Sequence, residues 1–257
     1  MLVAKFKSNL GKSSQGGESL YDHLMDCTRV AHKILTDTRF VPADYPKRLR
    51  DQLLFATFTH DLGKLDPRFQ AMLEAARDGR PLPAKRVKHE ASTLEPEFVT
   101  LLRESEEEVK AHLHTELGYE FSEPLNLEET LAFAVTHHGL FYLSFEQREA
   151  QVLPRVRREW TVFNYGEQRR VTLTDLLFDY HPLGGLVMLS DLLGSFAYEQ
   201  GIAEANALVQ RAGSLHELVN LILSGGVCET VERHLAQYDP RTEGLRDLLT
   251  LLAGGLA

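Results

Sequence analysis

Phe58-Thr59-His60-Asp61-Leu62-Gly63-Lys64 closes an apolar, helix-like run with an imidazole and a carboxylate on adjacent residues. Two metal ligands of different charge thus stand side by side. Gly63 frees the backbone to turn just behind them. A His-Asp dipeptide arises by chance, so its meaning depends on which polar residues interrupt apolar helices elsewhere in the chain.

Upstream, Ser19 with Asp22 three residues on reads as a helix start. Leu20, Leu24, Cys27, Ala31, Ile34 and Leu35 follow at helical spacing, and His23 lies beside that stripe. Residues 1–18 read as a polar lead-in with room for one short strand. A loop with Pro42 and Pro46 gives way at Lys47 to the helix that reaches His60-Asp61. Downstream, Asp66-Pro67 opens a helix with a cap and a proline at its first position, turning Phe69, Met72 and Leu73 inward. His89 heads the next helical segment after a loop over 78–83. Residues 97–118 read as one charged helix, with the Glu104, Glu106, Glu107 and Glu108 run as a solvated face. Asn126 with Glu129 caps a helix from Leu127 to His138, and Gly139 ends it. Residues 160–173 change to alternating character and predict a β-hairpin. Helical patterns resume near Pro182 and carry Asp191; Ser214 with Glu217 and Asp239-Pro240 open helices near the C-terminus. The expectation is a mainly α, single-domain helical bundle over 1–257, with one small β-hairpin, a core over about 19–200 and C-terminal helices over 201–257.

Composition bounds the function. Apolar residues at 43% and charged residues at 25% are those of an ordinary globular domain. No apolar run approaches the ~20 residues that cross a bilayer, and the N-terminus lacks a secretory signal pattern; the expected setting is cytoplasmic, without a membrane partner. Cys27 and Cys228 make no zinc-type spacing and read as small buried hydrophobes. A net charge of −9 excludes a protein that coats nucleic acid through its global field. It does not exclude a nuclease, because bound cations invert the local field. Basic surface would be local, at 83–88 or 155–158.

The polar residues that interrupt apolar helices are His23, His60, Asp61, His89, His137, His138 and Asp191. Each would be costly to bury unpaired, and imidazole with carboxylate is the donor set of Zn, Mn, Fe, Co and Ni. Taken singly, His89 reads more simply as a capped or surface residue, while Asp191 fits a solvated helix residue as well as it fits a ligand. His137-His138-Gly139 after an apolar helix favours ligands. Seven groups exceed the needs of one tetrahedral ion and suit two ions bridged by Asp61. His32, His112, His114, His181, His216 and His234 have no such context.

The order His23, His60-Asp61-Leu62-Gly63-Lys64, Lys88-His89, His137-His138-Gly139 and Ser190-Asp191 resembles the HD superfamily of metal-dependent phosphohydrolases. Leu20-Tyr21-Asp22-His23-Leu24, Phe69-Gln70, His89-Glu90, Gly139-Leu140 and Ser190-Asp191-Leu192-Leu193-Gly194-Ser195 narrow the likeness to the HD nuclease domain of the type I CRISPR helicase–nuclease, over about residues 20–196. The resemblance implies one ion held by His23, His60, Asp61 and Asp191, and a second by Asp61, His89, His137 and His138. It gives Lys64 a place at the scissile phosphate or the attacking water, and Ser195 a place behind the ligands at most. It implies a nuclease of antiviral defence, endonuclease or exonuclease, that cuts single-stranded DNA with a water activated by two divalent ions (Mn, Ni, Co, Fe or Mg). Its expected partners are single-stranded DNA, a superfamily 2 helicase, separate or fused, and an RNA-guided surveillance complex.

The chain departs from the fused architecture. It has no Gly-x-x-x-x-Gly-Lys-Ser/Thr loop and no Asp-Glu helicase box; Gly11-Lys12-Ser13 lacks the upstream glycine. A stand-alone subunit or an excised domain is expected, and the C-terminal residues slightly favour the first. Two other readings share the ligand set. One is an HD phosphohydrolase acting on deoxynucleotides or cyclic dinucleotides, although Gly139-Leu140-Phe141-Tyr142 is not the Gly-Tyr-Pro of the cyclic-dinucleotide type. The other is a non-catalytic helical adaptor stabilised by metal.

Overall fold

The computed structural model describes residues 1–84, 87–122, 124–137, 141–146, 149–154, 159–164, 167–172, 185–224 and 226–227, with backbone alone over the strands between 141 and 172. The mainly α class holds. α2 (Leu20–Thr36) is the central helix: Ser19 accepts the Asp22 N–H as its cap, and ten of its residues, His23 among them, are buried. α3 (Lys47–Thr59) and a C-terminal helix, Leu186–Gln200, pack against it. Val30, Ile34, Leu53, Leu54, Phe133, Leu193 and Val209 make the core on one side, and Leu20, Leu24, Phe55, Phe58, Leu131 and Val135 the core on the other. Each such side chain contributes about 1.5–3 kcal/mol by leaving water.

Around this centre lie α4 (Pro67–Arg77), capped by Asp66 through the Arg68 N–H, the single turn α5 (His89–Ser92), and α8 (Leu127–Thr136), capped by Asn126. The hairpin expected at 160–173 is present as Glu159–Asn164 paired antiparallel with Glu167–Thr172. Two further ladders accompany it: Phe141–Glu146 with Glu149–Pro154, and, near the N-terminus, β1 (Leu10–Lys12) with β2 (Glu18–Ser19). The helix Leu186–Gln200 is α9, followed by α10 (Ile202–Arg211) and α11 (Leu215–Ser224), where Ser214 accepts the Glu217 N–H as expected. The helix expected at Asp239-Pro240 lies outside the described residues. No helix among the described residues is long and apolar enough to cross a membrane.

Four local expectations are corrected. Residues 2–8 are helical: α1 (Leu2–Ser8) buries Leu2, Val3 and Phe6. The charged segment is two helices, α6 (Pro96–Glu104) and α7 (Glu106–Leu117), broken at the buried Ser105. The glutamate run is not simply a solvated face, because Glu108 accepts the N–H groups of Leu2 and Val3 at 2.7 and 3.2 Å and pairs with the N-terminal ammonium. That carboxylate meets the positive end of α1. α8 also stops at Thr136 with His137 as its cap, short of the expected His138.

Candidate metal centre

Six elements bring the site together. His23 lies on the first turn of α2, and Asp191 in the body of α9. His60 caps α3, and Asp61 opens the 3-10 turn Leu62–Leu65. His89 starts α5, and His137 ends α8. Gly63 lets the turn lie against α5, since a Cβ there would sit 1.8 Å from the His89 carbonyl oxygen. The Gly63 N–H donates to Thr93 Oγ1 at 3.0 Å, which fixes the approach. Gly194 does the same between α9 and α2: its Cβ would fall 2.4 Å from Cys27 Sγ.

The four histidines point their Nε2 atoms at Asp61. Asp61 Oδ2 lies 3.2 Å from His23 Nε2 and 3.6 Å from His60 Nε2, while Oδ1 lies 3.0 Å from His89 Nε2 and 3.5 Å from His137 Nε2. Asp191 Oδ1 closes the first group, 3.2 Å from His23 Nε2 and 3.7 Å from His60 Nε2. Each Nδ1 faces an oxygen instead. His60 Nδ1 meets the Thr57 carbonyl at 2.7 Å and His137 Nδ1 the Ala134 carbonyl at 2.5 Å. His89 Nδ1 lies 3.5 Å from Glu90 and His23 Nδ1 3.8 Å from Glu18. At His60 and His137 the hydrogen-bond acceptor keeps the proton on Nδ1 and leaves the Nε2 lone pair for a cation.

His60 Nε2 and both Asp61 oxygens are sealed from solvent without a well-aligned hydrogen bond. For His60 Nε2, whose carboxylate neighbours stand at 3.6 and 3.7 Å, this leaves room for a further partner. Ligands about 2.1 Å from one tetrahedral ion stand about 3.4 Å apart, within the range of the separations above. The donor chemistry fits as well. Burial pushes the Asp61 carboxyl up, but Lys64 and the flanking His60 and His89 hold it well below its usual range. Asp191 is likewise ionised, because His23 and His60 outweigh its burial. His60 is the converse: burial disfavours its charge, yet Asp61 and Asp191 raise its pKa, so a cation arriving there displaces a proton. The donor atoms of His60, Asp61 and His137 all lie within 4.8 Å of one another, as do those of His23, Cys27, His60 and Asp191.

Lys64 sits 2.5 Å from Asp61 Oδ2 and donates to the Gly11 carbonyl at 3.1 Å. Asp191 and Lys64 have 13% and 11% of their side chains exposed, against 1% for Asp61, so a ligand entering from water meets them first. Ser195 Oγ stands 3.5 Å from Asp191 Oδ1. His138 lies outside the described residues, as do His181, His234 and Cys228. His32 and His112 pack on aromatic rings, away from the centre.

Sequence reasoning passed over three groups beside the first cluster: Cys27, Lys12 and Glu18. Cys27 is buried as expected, but its Sγ lies 3.8 Å from the His23 ring nitrogens, one helical turn away. Burial, then Asp191, pushes that thiol well above its usual pKa. The i, i+4 spacing from His23 was the available signal. Lys12 and Glu18 gave none, because charged residues in a Gly/Ser-rich stretch read as solvated.

Residues 4–198 match the family model described as Cas3, HD domain. No curated protein and no solved structure gives a significant match.

Proposed function

The chain belongs to the Cas3 HD-domain family, and from that premise we propose that it cleaves single-stranded DNA in CRISPR interference, using two divalent ions held on either side of Asp61. The family implies a metal-dependent hydrolase with a nucleic acid substrate in a CRISPR setting. One observation carries the finer reading: Asp61 turns one oxygen to His23 and His60 and the other to His89 and His137. Asp61 would be shared by two ligand sets, one completed by His23, His60 and Asp191 and the other by His89, His137 and His138.

When bound, two divalent ions lower the pKa of a water and offset the charge that develops on a phosphodiester during in-line displacement. The chain's own residues do the remaining work. The carbonyls behind Nδ1 of His60 and His137 hold those imidazoles in one tautomer and one orientation. Lys64, kept cationic by Asp61 and Asp191 against the pull of burial, places positive charge at the opening where a phosphate oxygen arrives. Imidazole nitrogens as ligands favour Mn, Fe, Co or Ni over Mg, which prefers oxygen ligands. The ligand set is almost fully buried, so a flexible single strand fits the approach better than a rigid duplex. A superfamily 2 helicase, separate or fused, and an RNA-guided surveillance complex would supply that strand.

The test is cleavage of circular single-stranded DNA by the metal-stripped protein with Mn, Ni, Co or Mg added singly. Nicking with at least one ion, abolished in His60→Ala/Asp61→Ala, is expected. No nicking with any ion, or undiminished nicking in the double variant, would sink the reading. Phosphate release from nucleotides without DNA nicking would move it to the nucleotide-hydrolase class.

A further inference from the structure

The β1–β2 ladder borders the first cluster: Lys12 reaches Ser195 and Glu18 faces His23. Lys12 and Glu18 are register partners on this ladder, and both are buried, with 5% and 7% exposure. Cross-strand residues of opposite charge ordinarily pair with each other, but these two do not. Lys12 Nζ donates to Ser195 Oγ at 2.7 Å, and Ser195 Oγ in turn faces Asp191 Oδ1 at 3.5 Å. Glu18 Oε2, which has no hydrogen bond, lies 3.8 Å from His23 Nδ1. Each buried charge has turned away from its neighbour toward a different member of one ligand set.

The ladder is also held in place at unusual density. Gln70 exchanges hydrogen bonds with the Leu10 backbone, accepting from its N–H and donating to its carbonyl, both at 2.9 Å. Lys64 donates to the Gly11 carbonyl, and the Leu20 N–H donates to the Asn9 carbonyl at 2.8 Å. Gly11 lets the strand press on α2: a Cβ there would stand 2.9 Å from Leu20 Cα and 3.2 Å from His23 Cβ. A solvated lead-in would need none of these restraints.

We propose that Lys12 and Glu18 are positioning residues for the first ion, Lys12 holding Asp191 through Ser195 and Glu18 orienting the His23 ring electrostatically, its Oε2 3.8 Å from Nδ1. The proposal rests on the two-ion reading of the site. Groups standing behind ligands in this way are worth about 10–100-fold in metal affinity.

The full chain, stripped of metal, is titrated with Mn(II) by calorimetry, and the two sites are assigned by their loss in Asp191→Asn and His89→Ala. Lys12→Met and Glu18→Gln are each expected to weaken the site lost in Asp191→Asn about 10-fold or more, and to leave the other site unchanged. Ser195→Ala should reproduce Lys12→Met, and the double variant should be no weaker than either single one, because the two act in series. Ser195→Ala removes little more than a hydroxyl and serves if Lys12→Met fails to fold. Wild-type protein that binds no ion overturns the two-ion reading and this proposal together. Wild-type protein that binds two ions while Ser195→Ala and Glu18→Gln bind them as well overturns this proposal alone. So does an equal weakening of both sites that tracks a fall in the metal-free melting temperature, since that is a structural effect.

Discussion

At the scale of the residue, Asp61 is the most exposed to test. Asp61→Asn keeps the shape but gives up the charge that two imidazole pairs share, so both ions should be lost together in metal analysis. His23→Ala or His89→Ala should release only one ion each. Either change should cost more activity than the about 10–100-fold typical of groups behind ligands. Two ions retained in Asp61→Asn would remove the bridge. Asp66 makes a separate prediction about stability. It caps α4 through the Arg68 N–H, pairs with the Arg68 guanidinium and accepts from Ser92 at 2.7 Å. Arg68, set against burial, holds its carboxyl below the usual 3.8, at about 2. The folded-state value is the lower one, so the contribution is whole above about pH 4 and is lost as pH falls toward 2. It is worth less than about 2 kcal/mol, because the guanidinium is largely in water. Asp66→Asn should therefore flatten the acid limb of a stability–pH curve in that window, and an unchanged limb would refute the assignment.

At the scale of the element, two glycines set how closely the ligand-bearing segments approach. In Gly63→Ala the new methyl would meet the His89 carbonyl at 1.8 Å and Thr93 Oγ1 at 2.6 Å, so the head of α5 must move. A loss of about 1–3 kcal/mol is expected from such overpacking, with weakened binding at the His89 side in a metal titration. Gly194→Ala presses on Cys27 Sγ at 2.4 Å but on Cys27 N at 3.1 Å as well. Adding Cys27→Ala should thus recover part of the lost melting temperature, not all of it. A purely additive pair would show that the helices do not meet there.

At the scale of the whole molecule, the centre joins helices from both ends of the chain, so an ion that binds only the folded state should stabilise all of it. At a free metal concentration of ~100 Kd, each site adds about 2.7 kcal/mol, or roughly 5–10 °C in melting temperature for a chain of this size. Chelator should reverse the shift, and Asp61→Asn should abolish it. A shift that survives in Asp61→Asn would place the stabilising ion elsewhere.

What the sequence determined by itself is what local chemistry encodes. The caps Ser19, Asp66, Asn126 and Ser214 each satisfy an N–H two or three residues away, and all four are present. The apolar stripe of α2 and the paired strands Glu159–Asn164 and Glu167–Thr172 are legible for the same reason. The ligand types were legible too, since a histidine or aspartate interrupting an apolar helix must be answered by something. Tertiary structure decided what depends on distant partners. α1 is short, and its first N–H groups are met by Glu108, more than a hundred residues away. The break at Ser105 has no glycine or proline to announce it. Only the packed fold shows which Asp61 oxygen faces which imidazole, and that Lys12 and Glu18 are buried behind them. Those relations are set by helix crossings and strand docking, which no spacing along the chain records.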